Sequence, residues 1–367
     1  MTPYTIGLVG LGSISRAHRK AISATETVEL TAVCDTDAER LATAELDPSV
    51  ARHTSLEAMM AAGVPDIVCI LTANSSHAAL TTQVARHGPR AIICEKPMAT
   101  HYPDAVAMVE ACEAAGVELL VNHQRRLGAG AFGRRVIADG LIGDLFEIRA
   151  ACSGDFLSDG THIVDLLLAL TGDEPVERVW GSVFFTPHEG QVRRRYGHAV
   201  DFGATCTWYT KADARCEIRT GEMAQRMPYA SLHVRGSQGE LWHPGGKTQP
   251  SWFLNDGTPG THQATFDDDR WYLLPREVAQ GGAWRCLNPE AARSDMAVSL
   301  QSLCQRLDGD ATPHPLNGRA ALRVQEILHA TFLSARHHEG VSLPLPADVP
   351  NVTDELLAQT ATLTQRK

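Results

Sequence analysis

Tyr4-Thr5-Ile6-Gly7-Leu8-Val9-Gly10-Leu11-Gly12-Ser13-Ile14-Ser15 is an apolar run that breaks into glycine. Tyr4 to Val9 reads as a core strand. Gly10 to Ser15 falls between that strand and a helix, where the G-x-G-x-x-G turn of a dinucleotide-binding unit belongs. Gly10 and Gly12 permit a tight turn and close approach of backbone to a pyrophosphate. Ser13 and Ile14 open the helix whose amides face the phosphates, and Ser15 is small enough for the helix-packing place of the third glycine.

Outward from this turn, strand-like runs near 4–9, 28–34, 66–71, 90–94 and 117–121 alternate with helical patterns near 13–24, 37–45, 75–87 and 103–115. Such βα alternation predicts a doubly wound parallel sheet, a Rossmann α/β domain, over residues 1–122. Beyond Asn122 the texture changes to helices near 130–139 and 161–171 and longer alternating runs near 144–152, 176–186, 198–209, 213–220 and 229–235. These predict an α+β domain over 123–345, a large and mostly antiparallel sheet covered on one face by helices, with 346–367 as a C-terminal tail. Helical stretches near 161–171, 289–307 and 318–337 are the candidates for the cover. Val183, Phe185, Cys206 and Trp208 are assigned to the sheet's other, partly apolar face, whose natural use is assembly of a homodimer or homotetramer.

The 367 residues carry a net charge of −10 without a block of like charge, which argues against nucleic acid or an anionic membrane as partner and favours a small molecule. No apolar run approaches the ~18 residues of a membrane span, and the first one reads as a strand rather than a secretory leader. Nine cysteines without a Cys-x-x-Cys pair read as reduced core residues of a cytoplasmic protein, and no His/Cys cluster has metal-ligand spacing, so no metal is expected. The stretch from Pro244 to Cys286 is too long for a simple connection. Its Trp252, Trp271, Tyr272 and Trp284 fit either a small hydrophobic cluster or a stacking platform for a ring substrate.

Four further places carry chemistry. Asp35 ends the second strand about 20 residues past the fingerprint, where a carboxylate accepts from ribose hydroxyls and repels a 2′-phosphate, so NAD is favoured over NADP. Asp37, by contrast, suits a helix cap. Leu71-Thr72-Ala73-Asn74-Ser75-Ser76-His77 leaves a strand at its carboxyl end. Thr72, Asn74 and His77 are candidates for the nicotinamide half of the cofactor, and Ser75 or Ser76 equally suits a helix cap. Glu95-Lys96-Pro97 closes the run Ala91 to Cys94, and a lysine before proline is biased to extended backbone, so its ammonium is aimed. Its peptide bond to Pro97 is a candidate for the cis form. His162 and Asp165, three apart at the start of a helix, share a face, which would let the carboxylate orient the imidazole.

Together, Gly7 to Gly12 with His18, Asp35, Thr72 to His77, Glu95-Lys96-Pro97, Gln124-Arg125-Arg126, Gly160-Thr161-His162-Ile163-Val164-Asp165 and Val341 to Leu345 resemble the glucose-fructose oxidoreductase, inositol dehydrogenase and rhizopine-catabolism family of NAD(P)-dependent oxidoreductases. The resemblance implies hydride transfer between the cofactor and a secondary alcohol or ketone of a sugar, sugar derivative or cyclitol. It places Lys96 beside both nicotinamide and substrate, makes His162 the acid/base, and puts Glu95 and Gln124 near the cofactor. Arg126, Asp155, Ser158 and Asp159 are candidates for substrate contact, and Tyr196, His198 and Asp201 for the pocket's border. Many family members carry an aspartate four residues before the histidine, where this chain has Ser158, and Asp159 is a candidate to replace it. Two further readings are bond cleavage through transient sugar oxidation, with NAD recycled in place, and a non-catalytic dinucleotide or sugar sensor.

Overall fold

The computed structural model describes residues 2–185, 192–224, 231–243, 245, 252–255, 285–287 and 295–364. Trp271, Tyr272, Trp284 and most of the Pro244 to Cys286 stretch lie outside them, so the alternatives raised for these aromatics stand where the sequence left them. The first domain is built from β1 (Tyr4–Val9), α1 (Ser15–Ser23), β2 (Val28–Cys34), α2 (Ala38–Thr43), β3 (Ala51–His53), α3 (Leu56–Ala62), β4 (Ile67–Ile70), α4 (His77–Ala85), β5 (Ala91–Cys94), α5 (Tyr102–Ala114) and β6 (Glu118–Val121). The strands form one parallel sheet in the order β3-β2-β1-β4-β5-β6. Every residue of β4 and β5 is buried, as central strands covered on both faces require. β3 and α3 were not legible in the sequence, because β3 is three residues long with two of them exposed.

The order of strands reverses between β1 and β4, and the chain leaves both at their carboxyl ends, so the Gly-rich turn and the Thr72 to His77 loop border one crevice. Asp37 caps α2, its carboxylate accepting from the amides of Glu39 and Arg40.

The second domain contains α6 (Ala129–Ala138), β7 (Leu145–Cys152), a π-helical turn (Phe156–Gly160), α7 (Thr161–Leu170), β8 (Arg178–Phe184), β9 (Arg194–Arg195), β10 (His198–Ala199), β11 (Gly203–Tyr209), β12 (Arg215–Thr220), β13 (Ser231–Gly236), β14 (Glu240–His243), β15 (Trp252–Asn255), β16 (Arg285–Leu287), α8 (Asp295–Leu307), α9 (Gly318–His337), β17 (Val341–Ser342) and α10 (Thr353–Thr364). Nine strands form a sheet in the order β16-β15-β14-β13-β7-β12-β11-β8-β17, antiparallel except where β7 meets β12. β9 and β10 form a separate small hairpin.

Helices α7 and α9 cover one face of this sheet. Val183, Phe185, Cys206 and Trp208 lie on that covered face, in the core, and not on the open one as expected. Thr331 of α9 donates to Cys206 Sγ at 3.2 Å, and the Phe185 and Phe332 rings lie 6.4 Å apart. Alternation sorts residues into two faces without saying which face is covered. The open face instead carries exposed Trp180, Phe184 and Tyr209. Beside them, Glu217 and Glu147 are ringed by Arg215, Arg219, Arg149 and Arg235.

A second correction concerns α8. Its Met296, Leu300 and Leu303 pack with Ile6, Leu8 and Ile22 against the first sheet rather than covering the second. Beyond residue 345, Val352 and Leu356 are buried in the second core beside α9.

Candidate active site

The turn after β1 is held by backbone and side-chain bonds that the sequence places there. Gly10 has φ +99°, and a Cβ on it would stand 2.9 Å from the Leu71 carbonyl oxygen, so only glycine fits. Around a Cβ on Gly12 there would be no atom within 4 Å, so the turn's outer side is open. Ser15 is buried and donates to the Gly12 carbonyl at 2.7 Å, as befits a residue standing in for a packing glycine. Asp35 accepts from the Leu11 amide at 2.7 Å and the Asp37 amide at 2.9 Å, tying the end of β2 to the Gly-rich turn. Arg40 approaches to 3.8 Å from Asp35 and 3.3 Å from Asp37, closer than its sequence distance suggested.

Gly10, Gly12, Asp35 and Arg40 line a cavity of about 760 Å³ with Ser13, Ile14, Leu71, Thr72, Asn74, Glu95, Lys96 and Tyr196. The open cradle at Gly12 and the carboxylate of Asp35 beside it fit a dinucleotide: Gly10, Gly12, Ser13 and Ile14 would hold the pyrophosphate, and Asp35 the ribose. His77 and Gln124 stand outside the lining. His77 is fully buried, Nδ1 2.8 Å from the Pro97 carbonyl and Nε2 3.2 Å from that of Thr72, so it braces two loops. Burial holds its pKa below the ordinary histidine value. Gln124 opens the turn Gln124–Arg126 beyond β6. Ser76 does not cap α4; its hydroxyl donates to the Ala73 carbonyl and accepts from Thr72.

Lys96 follows a buried anchor. The Glu95 carboxylate accepts from His18 Nε2 at 2.7 Å and Asn122 Nδ2 at 2.6 Å. Burial alone would lower the pKa of His18, but bonds to Cys69 and Glu95 outweigh it and raise it to about 10, making the pair an ion pair. The Lys96–Pro97 bond is cis. The Lys96 ammonium crosses to the second domain, donating to the Ser158 carbonyl at 2.8 Å.

His162, in the first turn of α7, is buried with Nδ1 unpartnered. Burial, then the positive charges of Lys96 and Arg125, hold its pKa well below the ordinary value, so it is neutral at pH 7. Asp165 does not orient it. That carboxylate accepts from Arg126 Nε at 2.9 Å, while Arg126 Nη1 reaches Asp173 at 2.7 Å. The buried Arg126 guanidinium is thereby held between two carboxylates of the fold. Burial raises Asp165 to about 6 even against the Arg126 charge.

His123 was missed by sequence reading. It lies at the domain junction with its ring 5.9 Å from that of His162, edge to face, and its Nε2 2.9 Å from Thr161 Oγ1. Burial, helped by Arg126 and Lys96, lowers it to about 3. Position immediately after β6 was the only signal.

Around Ser158, Asp155 rather than Asp159 supplies the carboxylate. Asp155 Oδ1 accepts from the Ser158 amide at 2.7 Å and lies 3.4 Å from His198 Nε2, whereas Asp159 is folded against Gly154. Asp201 accepts from the Phe156 amide at 2.8 Å, and burial followed by the charge of Asp155 pushes it up to about 8. The β9–β10 hairpin brings in His198 and Tyr196, the latter's carbonyl accepting from the Ser75 amide across the domain boundary at 3.3 Å.

A Rossmann cradle facing a lysine and a neutral histidine on a second domain defines an NAD-binding oxidoreductase. A family model described as "Oxidoreductase family, NAD-binding Rossmann fold" matches residues 4–123. Inositol 2-dehydrogenase of Rhizobium meliloti is 31% identical over 254 residues, covering 64% of this chain and 74% of that protein. D-apiose dehydrogenase of Paraburkholderia graminis is 29% identical over 371 residues, 94% of this chain and 92% of that one. The crystal structure of the WlbA dehydrogenase from Bordetella pertussis in complex with NADH and UDP-GlcNAcA superposes with a TM-score of 0.72 at 25% identity, covering 94% of this chain and all of that one. The chain belongs to the glucose-fructose oxidoreductase, inositol dehydrogenase and rhizopine-catabolism (Gfo/Idh/MocA) family of oxidoreductases.

Proposed function

We propose that the protein is a dehydrogenase or reductase acting on a secondary alcohol or ketone of a sugar, sugar derivative or cyclitol. The observation that carries this reading is the Lys96 ammonium in the cavity wall, which reaches across the domain boundary to the Ser158 carbonyl, four residues before the buried, neutral His162 whose pKa its charge depresses. NAD, when bound, accepts or supplies the hydride. Gly10, Gly12, Ser13, Ile14 and Asp35 hold its phosphates and ribose, and Thr72, Asn74, Glu95 and Lys96 border its other half.

Lys96 donates to the substrate oxygen and steadies the negative charge that develops there. His162, uncharged because burial and neighbouring cations disfavour its protonated form, takes the hydroxyl proton in oxidation and returns it in reduction. Asp155 and Ser158 border the substrate, and the buried surroundings keep water from the reacting centre. The open face of the second sheet, with Trp180, Phe184 and Tyr209, supports association into a homodimer or homotetramer. The eight cysteines whose side chains are described, all buried free thiols, support a cytoplasmic location.

The test is NADH absorbance on a panel of sugars and cyclitols, with Lys96→Met and His162→Ala beside the wild type. Each substitution is expected to lower turnover about 10²–10⁴-fold. Near wild-type turnover in both would overturn the assignment. NAD retained without any turnover would point to a sensor, and product formed without net NADH to bond cleavage.

A further inference from the structure

A second hollow lies apart from the cofactor cavity and shares no lining residue with it. It opens between α6, the end of α7, the segment from Pro313 to Asn317 and the first turns of α9. Its volume of about 700 Å³ is of small-ligand size, which runs from roughly 300 to 1,000 Å³. Its charge is one-sided. Arg126, Arg134, Arg135, Arg319 and Arg323 line it with a single carboxylate, Asp173, in a chain whose net charge is −10.

The partners of these arginines leave most of that charge uncancelled. Arg126 is matched by Asp165 and Asp173. Arg323, by contrast, gives its two terminal nitrogens to the backbone carbonyls of Asp173 and Glu174, which carry no net charge. Arg135 lies over the Phe132 ring at 5.6 Å, and Arg134 has no ion pair among the described residues. Arg319 pairs with Glu113 at 2.6 Å, but its side chain is 73% exposed, so water screens the pair and leaves it easily exchanged. Cations gathered in this way repel one another, and an anion between them relieves the repulsion. Helix α9 adds its positive end: Asn317 caps it by accepting from the Ala320 amide at 3.0 Å, and both residues line the hollow. Between the arginines, Gly130, Ala131 and Ala169 form walls whose short side chains keep the space open.

We propose that this hollow is a second binding site, for a small molecule carrying phosphate or several carboxylates. Guanidinium groups hold either anion through paired, charge-assisted hydrogen bonds. The arginines surround a concavity rather than a stripe, and the chain's net charge repels a long polyanion such as nucleic acid. The site lies at the domain joint, because α6 belongs to the second domain while Asn317 pairs with Leu120 of the first sheet. The site goes beyond the oxidoreductase reading and does not depend on it.

Calorimetric titration of the NAD-saturated protein at constant ionic strength is the test, with pyrophosphate as the phosphate probe and citrate as the carboxylate probe. Saturable one-site binding of at least one probe is expected, and which one binds tells the two ligand chemistries apart. Because NAD fills the Gly-rich turn, binding that disappears when NAD is added belongs to the cofactor cavity and overturns the proposal. Arg134→Ala and Arg319→Ala should each weaken binding about tenfold, the loss of one charge-assisted contact. Glu113→Gln, which frees Arg319 from its partner, should tighten it by up to about fivefold. Arg86→Ala, at the end of α4, should leave it unchanged. All four side chains are exposed, so the variants are expected to fold, and thermal melts check this. No saturable binding of either probe overturns the proposal. So does binding that is indifferent to Arg134→Ala and Arg319→Ala, or that falls as much in Arg86→Ala, since the attraction is then only to the arginines at large.

Discussion

At the scale of residues, the acid/base properties of the site come from burial and neighbouring cations rather than from the carboxylate expected to do it. Arg125 is one of the charges that depress His162. Removing it in Arg125→Ala should let the pKa of His162 rise. The acid limb of kcat/KM, which in the wild type lies below the ordinary histidine range, should then move to higher pH. A pH–rate profile of the two proteins checks this, and an unmoved or lowered limb would contradict it. Lys96 was legible because a lysine before proline at a strand end is locally constrained. The roles of Asp165 and Arg126 were not, because three-residue spacing puts Asp165 on a face shared with His162 without saying that a buried guanidinium from β6's end would claim it. His123 and His198 were hard to read for the same reason. Their neighbours come from elsewhere in the chain.

At the scale of elements, the strand ends depend on the joint between α1 and β5, where His18 meets Glu95. Both groups are nearly inaccessible, and removing one partner leaves an uncompensated buried charge, so His18→Gln should cost about 3–5 kcal/mol. The pH dependence has a definite sign. The pKa of His18 is raised on folding to about 10, so its contribution is fully present below about 6.5 and is lost as pH rises toward 10. Glu95 is held below its ordinary value, so its part is present above about 4.5 and lost on acidification. Urea melts should therefore show the gap between wild type and His18→Gln widest near pH 5–6 and narrowing by pH 10; a gap independent of pH would refute the ion pair. The elements of the first domain were readable because βα alternation is a local pattern. The destination of α8 was not, since an amphipathic helix is compatible with either sheet and only the full set of packing surfaces decides.

At the scale of the whole molecule, the two domains meet through the β9–β10 hairpin. Gly197, at φ +85°, lies so close to Ser75 that a Cβ has no room. Gly197→Ala combines a strained backbone with a clash, costs of the order of 1–3 kcal/mol, and should press the hairpin away from the cavity lined by Tyr196. Cofactor titration by fluorescence is expected to show roughly 5- to 100-fold weaker binding, on the same energetic scale. Unchanged affinity would mean that the hairpin does not border the cofactor. For the proposed assembly, light scattering should give a mass of two or four chains, and Trp180→Glu on the open sheet face should lower it; a monomeric wild type would contradict that use of the face.

Helix α9 has the widest reach of any element described. Just ahead of it, Leu316 accepts from the Val121 amide and Asn317 bridges to Leu120, continuing the edge of the first sheet. Ala321 then sits in the first domain's core, while Ile327, Leu328 and Leu333 lie in the second's. At 1.5 Å per residue its 20 residues make a strut of roughly 30 Å. During synthesis the Rossmann sheet emerges first, yet its edge and one of its faces are closed by α8 and α9, which leave the ribosome well over a hundred residues later. The nascent first domain must wait, with Leu8, Ile22 and Leu120 without their final cover. The molecule is thus two domains in architecture but close to one unit in folding, and its half-made form is where chaperones would find the most to hold.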